Sequence, residues 1–395
     1  MLNITDEVKR IESEIISWRR KLHQIPELGV NLPQTVKFIT GELDKMGIEY
    51  HTLVNGNAVV GLIKGREEGK TMALRADMDA LPIKEETGLE FQSTNGCMHA
   101  CGHDGHTATL LGVAKILREN RDKFKGNVKL LFQPGEEYPG GAKPMIEEGA
   151  LDAPKVDAIM GLHMGSLAKE APVGTISVCY GTMMAAVDKV FIKVIGRGAH
   201  GAYPHQSIDP IVTASEIVLA LQTIVSREIM PVEPAVVSIT RIQGGFNQNI
   251  IPDSVELEGT VRAFNEDTRR KIARRMEEII KGITMAHGAT YELDYEYCYP
   301  AVVNSEEFTK GFVESAKKIV REEDIIEMKT PVMGAEDMSY FLQKVPGTFF
   351  YLNNPKQIEG EYYPHHSPKF DIDEKEIWKG VAVMTQATID WLNEN

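Results

Sequence analysis

The sequence predicts an α/β protein with a discontinuous main domain on a mostly parallel sheet and an inserted ferredoxin-like β-α-β-β-α-β domain. Three observations lead there. The chain has 395 residues, more than the roughly 250–300 at which a single core stops growing. Helical patterns and short apolar runs alternate up to about residue 186, as in a parallel α/β sheet. From 187 to 300 the order becomes strand, helix, strand, strand, helix, strand.

Taken in chain order, MLNITDEVKRIESEIISWRRKL is charged and amphipathic. It lacks the apolar stretch and small-residue cleavage site of a secretion signal, so it is expected as a helix of the mature fold. Val36, Ile39, Leu43 and Met46 recur at helical spacing, and AVVGLI and TMALRA read as strands. A helix carrying Leu110, Val113, Ala114 and Leu117 follows, then the strands NVKLLF and VDAIMGL. In the insert, VDKVFIKVIG, AVVSITRIQGG, SVELEGTVRAF and TYELDYEY are the expected strands. SVELEGTVRAF sets Val255, Leu257 and Val261 on one face and Glu256, Glu258 and Arg262 on the other. Ile211 to Val225 and Ile272 to Ile283 mark its two helices. After 301 come the helix EEFTKGFVESAKKIV, the strand GTFFYL and a last helix from about 373 to 393. The expected main domain is therefore 1–186 with 301–395, and the insert is 187–300.

Hydrophobic residues make up 43% of the chain and charged residues 25%, ordinary values for a globular protein. The formal net charge of −14 argues against nucleic acid or a membrane surface as partner. No apolar run approaches the roughly 20 residues that span a bilayer. Cys97, Cys101, Cys179 and Cys298 are too few and too scattered for a disulfide scaffold. They fit a reducing compartment, and the expected location is the cytoplasm.

Eight of the eleven histidines fall in short clusters: His99, His103 and His106; His163; His200 and His205; His365 and His366. The segment GCMHACGHDGH adds Cys101 and Asp104. Thiolate, imidazole and carboxylate are the ligands that zinc and neighbouring divalent metals prefer. Asp77 and Asp79 follow the strand TMALRA, Glu136 and Glu137 follow NVKLLF, and His163 closes VDAIMGL. Open parallel sheets gather ligands at the carboxyl ends of their strands, so all three elements deliver acids or histidines to one edge. Of two adjacent glutamates, one can ligate metal while the other moves a proton, since a bound cation lowers the pKa of water to about 7.

The blocks LHQIPELG, RADMDALPI, MHACGHDGHTA, FQPGEE, GLHMG, GRGAHGAYPH, GTVRAF, GAEDMSYF and HHSPKFD resemble the aminoacylase and carboxypeptidase superfamily of metallohydrolases. The likeness runs over nearly the whole chain and is greatest to the amidohydrolase branch of hippurate and indole-acetyl-amino-acid hydrolases. It implies two divalent ions (Zn²⁺, Mn²⁺, Co²⁺ or Ni²⁺) held by Cys101, His103, Glu137, His163 and His366. It implies Glu136 as general base and proton shuttle, with Asp77 as an active-site acid and Asp79 as its partner. His200 would hydrogen-bond the developing oxyanion, and Asn249 and Arg262 would hold a substrate carboxylate. The implied reaction is hydrolysis of N-acyl-L-amino acids, with a carboxypeptidase or dipeptidase as the alternative. The insert is expected to close over the substrate and to form a homodimer. Peptidase relatives place histidine at the position of Asp77 and a bridging aspartate near Cys101, so the division of ligands between the ions stays open. Other readings also stand: Asn249 as a backbone cap, Arg262 paired with Glu256 or Glu258, and Glu336 and Asp337 as site lining or helix caps.

Overall fold

The computed structural model describes residues 2–167 and 171–395. The chain forms two compact units. The first comprises Met1–Met183, Val303–Pro331 and Asp337–Asn395; the second comprises Met184–Val302 and Val332–Glu336. The short return of 332–336 to the second unit has no hydrophobic period, and nothing in the sequence marks it.

The first unit is built on an eight-stranded sheet. Its order is Glu49–Leu53, Ala58–Lys64, Asn127–Gln133, Thr71–Asp77, Ala158–Gly165, Gly347–Asn353, Thr175–Val178 and Ile325–Glu327. The four central strands, from Asn127–Gln133 to Gly347–Asn353, are mutually parallel. They are buried along almost their whole length, as strands covered on both faces must be. The helix His103–Glu119 is buried on nearly every side. It packs against the helices Glu12–His23 and Ile377–Glu394.

Sequence patterning does not reveal Glu49–Leu53, Thr175–Val178 or Ile325–Glu327. Glu49–Leu53 is exposed at the sheet edge, so alternation has no buried face to record. The last helix begins at Ile377 rather than near 373, because Asp373 caps a tight turn over Glu374–Glu376 that precedes it.

The second unit carries a four-stranded antiparallel sheet in the order Ala235–Gly244, Ser254–Ala263, Ala186–Ile195, Thr290–Tyr297. Numbered along the chain this is 2-3-1-4, the ferredoxin-like order. Val190, Ile192, Val194, Val255, Leu257 and Val261 face the helices Pro210–Thr223 and Glu266–His287 and form its core. A register shift between Ile239 and Arg241 marks a bulge. Among the described residues no helix is long and apolar enough to cross a membrane.

Candidate metal centre

Four segments of the first unit carry the expected ligands. Cys101 precedes Gly102, whose φ of +87° turns the chain into the helix that His103 begins. Glu137 lies on the loop after Asn127–Gln133, and His163 sits in the strand Ala158–Gly165. His366 adopts φ +65°, a conformation uncommon for a residue with a Cβ. Its backbone N–H donates to Ala100 O at 2.8 Å, which ties it to the residue before Cys101.

The structure gathers these five side chains into two overlapping triads, Cys101 with His103 and His163, and Cys101 with Glu137 and His366. Within each triad the ligand atoms lie within 4.8 Å of one another. The Cys101 sulfur, common to both, is 3.4 Å from His163 Nε2. Two buried atoms are orphaned in a way a cation would satisfy: His103 Nε2 and Glu137 Oε1 have no hydrogen-bond partner. Glu137 Oε1 is 3.1 Å from His366 Nε2 without the alignment of a hydrogen bond. Soft sulfur, imidazole and one carboxylate suit a divalent transition metal, so the donor set fits.

The surroundings orient the His103 and His163 rings. His103 Nδ1 donates to Asp79 O at 2.9 Å and His163 Nδ1 donates to Met164 O at 2.8 Å. Each ring therefore turns its Nε2 toward the site. Burial, together with His106 and His365, holds His163 well below its ordinary pKa, hence neutral. Burial also opposes charge on His103, but Asp77 and Asp79 outweigh it and push that ring up to about 10, so a cation at Nε2 would displace a proton there. Burial raises Glu137, yet His366 and His103 prevail and its pKa is lowered.

Asp77 and Asp79 are both buried, with different duties. Asp79 accepts from Glu136 N at 2.9 Å and from Glu137 N at 3.0 Å, one carboxylate oxygen each, and so holds both glutamates' backbone. Asp77 receives His106 Nδ1 at 2.6 Å and Arg75 Nη1 at 2.8 Å. Burial raises its pKa, but His103, His106 and Arg75 drive it well below the ordinary range. Asp77, His103 and His106 are also close enough to suggest a third ion. The Asp77 oxygens are already occupied by His106 and Arg75, and His106 Nε2 accepts from Met164 N at 2.8 Å. That group orients imidazoles instead.

A family model described as peptidase family M20/M25/M40 matches residues 73–390. The chain belongs to this family. Within it, the chain is similar to the N-acyl-L-amino acid amidohydrolase of Geobacillus stearothermophilus, 46% identical over 308 residues, covering 76% of this chain and 82% of that one. It is also similar to thermostable carboxypeptidase 1 of Saccharolobus solfataricus, 42% identical over 396 residues, covering 99% and 98%. Among solved structures, the YXEP protein of Bacillus subtilis, described as a dinuclear metal-binding peptidase, superposes with a TM-score of 0.82 at 35% identity, covering 97% and 99%. This M20 chain is accordingly a metal-dependent hydrolase with a metal-binding site.

Three expected residues of the M20 chain lie in its second unit. His200 and Asn249 are brought together there: the pair Ala199–His200 and Ile250–Ile251 sets His200 opposite Ile250, and Gly201 N donates to Asn249 O at 2.7 Å. Both residues are exposed. His200 Nδ1 accepts from Ala202 N at 3.1 Å, which leaves Nε2–H as its donor. Arg262 stands eight residues along its strand from Ser254, roughly 25 Å at the usual rise, so it is not part of that patch. Its Nη1 bonds Thr260 Oγ1 and Val261 O. Glu258 pairs with Arg241 rather than with Arg262. Burial lowers the Arg262 pKa, opposed by Asp188 and Cys298.

Sequence reasoning passed over Arg75 and the backbone of Met164, and gave His365, named in its cluster, no role. The signal for Arg75 is visible afterwards: an arginine within the apolar run TMALRA can be buried only if it is paired.

Proposed function

We propose that this M20 hydrolase cleaves the amide bond of N-acyl-L-amino acids, with Glu136 as general base and proton shuttle. The observation that carries the reading is the Glu136–Glu137 pair beside the orphaned His103 Nε2, three residues whose ligand atoms lie within 4.8 Å of one another. Cys101 would be shared by two divalent ions, one completed by His103 and His163 and the other by Glu137 and His366. When bound, such ions supply Lewis acidity that acidifies water and polarises a carbonyl.

Glu136, 7% exposed and fixed at its backbone by Asp79, takes the proton of the attacking water. The same carboxyl then protonates the departing amine, since amide cleavage needs both transfers. His200 offers its Nε2–H to the developing oxyanion. Asn249 is proposed to receive the substrate carboxylate; Arg262, which stands apart from the Asn249 patch within the chain, is not assigned to that same carboxylate. All four cysteines are free, in keeping with a reducing compartment such as the cytoplasm.

The second unit is proposed to close over the substrate and to mediate homodimerisation. In support, Ile211, Val212 and Leu219 are exposed on one helix, Ile242 is exposed on the edge strand Ala235–Gly244, and Phe246 just beyond it is 83% exposed. An unpaired edge beside apolar surface invites a second copy.

A carboxypeptidase reading rests on the likeness to the Saccharolobus protein. Metal-reconstituted enzyme assayed on acetyl-, benzoyl- and indole-acetyl-amino acids against dipeptides separates the two. Faster turnover of dipeptides overturns the amidohydrolase reading. Glu136→Ala should lose activity by at least about 10²-fold; near-normal turnover would remove Glu136 as the base.

A further inference from the structure

Glu136 and Glu137 lie on the connection 134–141, between the strand Asn127–Gln133 and the helix Ala142–Glu147. Such a loop, with Gly135 and Gly140 both at positive φ, is not rigid by its own composition. Catalysis by a proton shuttle nevertheless requires its carboxylate to be placed within fractions of an ångström.

Asp337 joins both ends of this loop. Its Oδ2 accepts from Gly141 N and Ala142 N, each at 2.9 Å, and both its oxygens accept from Gln133 Nε2 at 2.8 Å. The ends come so close that a Cβ on Gly141 would stand 1.7 Å from Pro134 O. Arg75 completes the arrangement. Its Nε donates to Gln133 Oε1, Nη2 to Asp337 Oδ1 and Nη1 to Asp77 Oδ2, all at 2.8 Å. The Arg75 and Asp337 side chains are fully buried. A buried guanidinium between two buried carboxylates is costly to desolvate, and apolar residues could fill the same volume at no loss of stability. Geometry that serves the loop is a reason for such charges to stand there.

We propose that Asp337 and Arg75 are positioning residues for the reaction. By pinning Gln133, Gly141 and Ala142 they hold the Glu136 carboxyl in register with the ligands that Asp77 and His106 orient. The inference rests on Glu136 being the general base, and the experiment separates the two claims.

Hydrolysis of an N-acetyl amino acid is measured for the metal-loaded full chain carrying Asp337→Asn, Arg75→Lys, Glu136→Asp, and Asp337→Asn with Glu136→Asp. The substitution Met145→Val, in the helix that the loop enters, serves as a packing control. Asp337→Asn should lower kcat at least about tenfold, change KM less than threefold and retain bound metal. Arg75→Lys, which preserves charge but not the three-way fork, should lower kcat in the same sense. In the Glu136→Asp background, Asp337→Asn should cost little more, because the two act as one unit.

Wild-type kcat in Asp337→Asn would overturn the proposal. So would multiplicative effects in the double variant, a rate per bound metal that is unchanged, or an equal loss of kcat in Met145→Val at equal loss of Tm. Should Asp337→Asn fail to fold, Arg75→Lys alone and combined with Glu136→Asp gives the same comparison. A Glu136→Asp enzyme at wild-type rate would also overturn the proposal, because the carboxyl would then tolerate displacement; near-normal turnover in Glu136→Ala would instead refute the general base itself, and the clamp would lose the group it serves.

Discussion

His163 and His365 donate to one and the same oxygen, the carbonyl of Met164, His163 through Nδ1 at 2.8 Å and His365 through Nε2 at 2.9 Å. The N–H of Met164 meanwhile donates to His106 Nε2. The backbone N–H and C=O of one residue thus set the orientation of three imidazoles, and a single ring flip would break the pattern. His365 also stacks on Phe370 at 4.7 Å between centroids and precedes His366. Burial pushes its pKa down to about 4, so it serves as a neutral donor. Replacing His365 by alanine should weaken metal affinity by about ten- to a hundredfold, with the fold retained. Metal titration of the chelator-stripped protein checks this; unchanged affinity would assign His365 to packing alone.

A second cluster behind the centre predicts a pH-dependent stability. His23 is buried with Nδ1 2.8 Å from Asp104 and Nε2 3.0 Å from Glu85. Burial favours the neutral ring, but the charge of Asp104 and its hydrogen bonds outweigh burial and the opposing Arg19, so the pKa is raised. A raised folded pKa stabilises fully below the unfolded value of about 6.5 and is lost as pH rises through the folded value. Urea unfolding should therefore show wild type exceeding His23→Gln most near pH 6, with the gap closing in alkaline buffer. A gap independent of pH would contradict the protonated pairing.

How much of this was legible in the sequence depended on what each residue needed from its neighbours. The central strands declared themselves as short apolar runs, because both their faces are buried, and both ferredoxin-like helices by apolar period, because each buries one face. Cys101, His103, Glu137 and His163 stood out because chemistry-bearing types followed directly on strands or opened a helix. Asp79 was named but not its duty: its bonds to Glu136 N and Glu137 N are contacts to backbone 57 and 58 residues away. Asp337 was ambiguous for the same reason, since its partners Gly141 N and Ala142 N lie 196 and 195 residues distant. Long-range side-chain-to-backbone bonds leave no spacing pattern.

Within the second unit, His200 and Asn249 should fail in different ways. Loss of an oxyanion donor in His200→Ala lowers kcat by about 10²–10³-fold, whereas loss of uniform substrate binding in Asn249→Ala raises KM with kcat largely kept. Steady-state kinetics on one N-acyl amino acid distinguishes them. Equal kcat and KM changes in both variants would dissolve the assigned division of roles.

Self-association has its own test. Leu219→Glu combined with Ile242→Glu places charge on surface that is 72% and 56% exposed in the single chain, so folding should be spared. Sedimentation should show a dimer for wild type and a monomer for this variant. A wild-type monomer, or a variant that still dimerises, would reject this surface.

The most direct measurement is the metal content per chain, by elemental analysis after reconstitution and gel filtration, of wild type, His366→Ala and Cys101→Ala. If the Cys101 sulfur belongs to both triads, wild type holds two ions, His366→Ala holds one tightly, and Cys101→Ala retains neither. Two ions in Cys101→Ala would contradict the shared thiolate and the centre built around it.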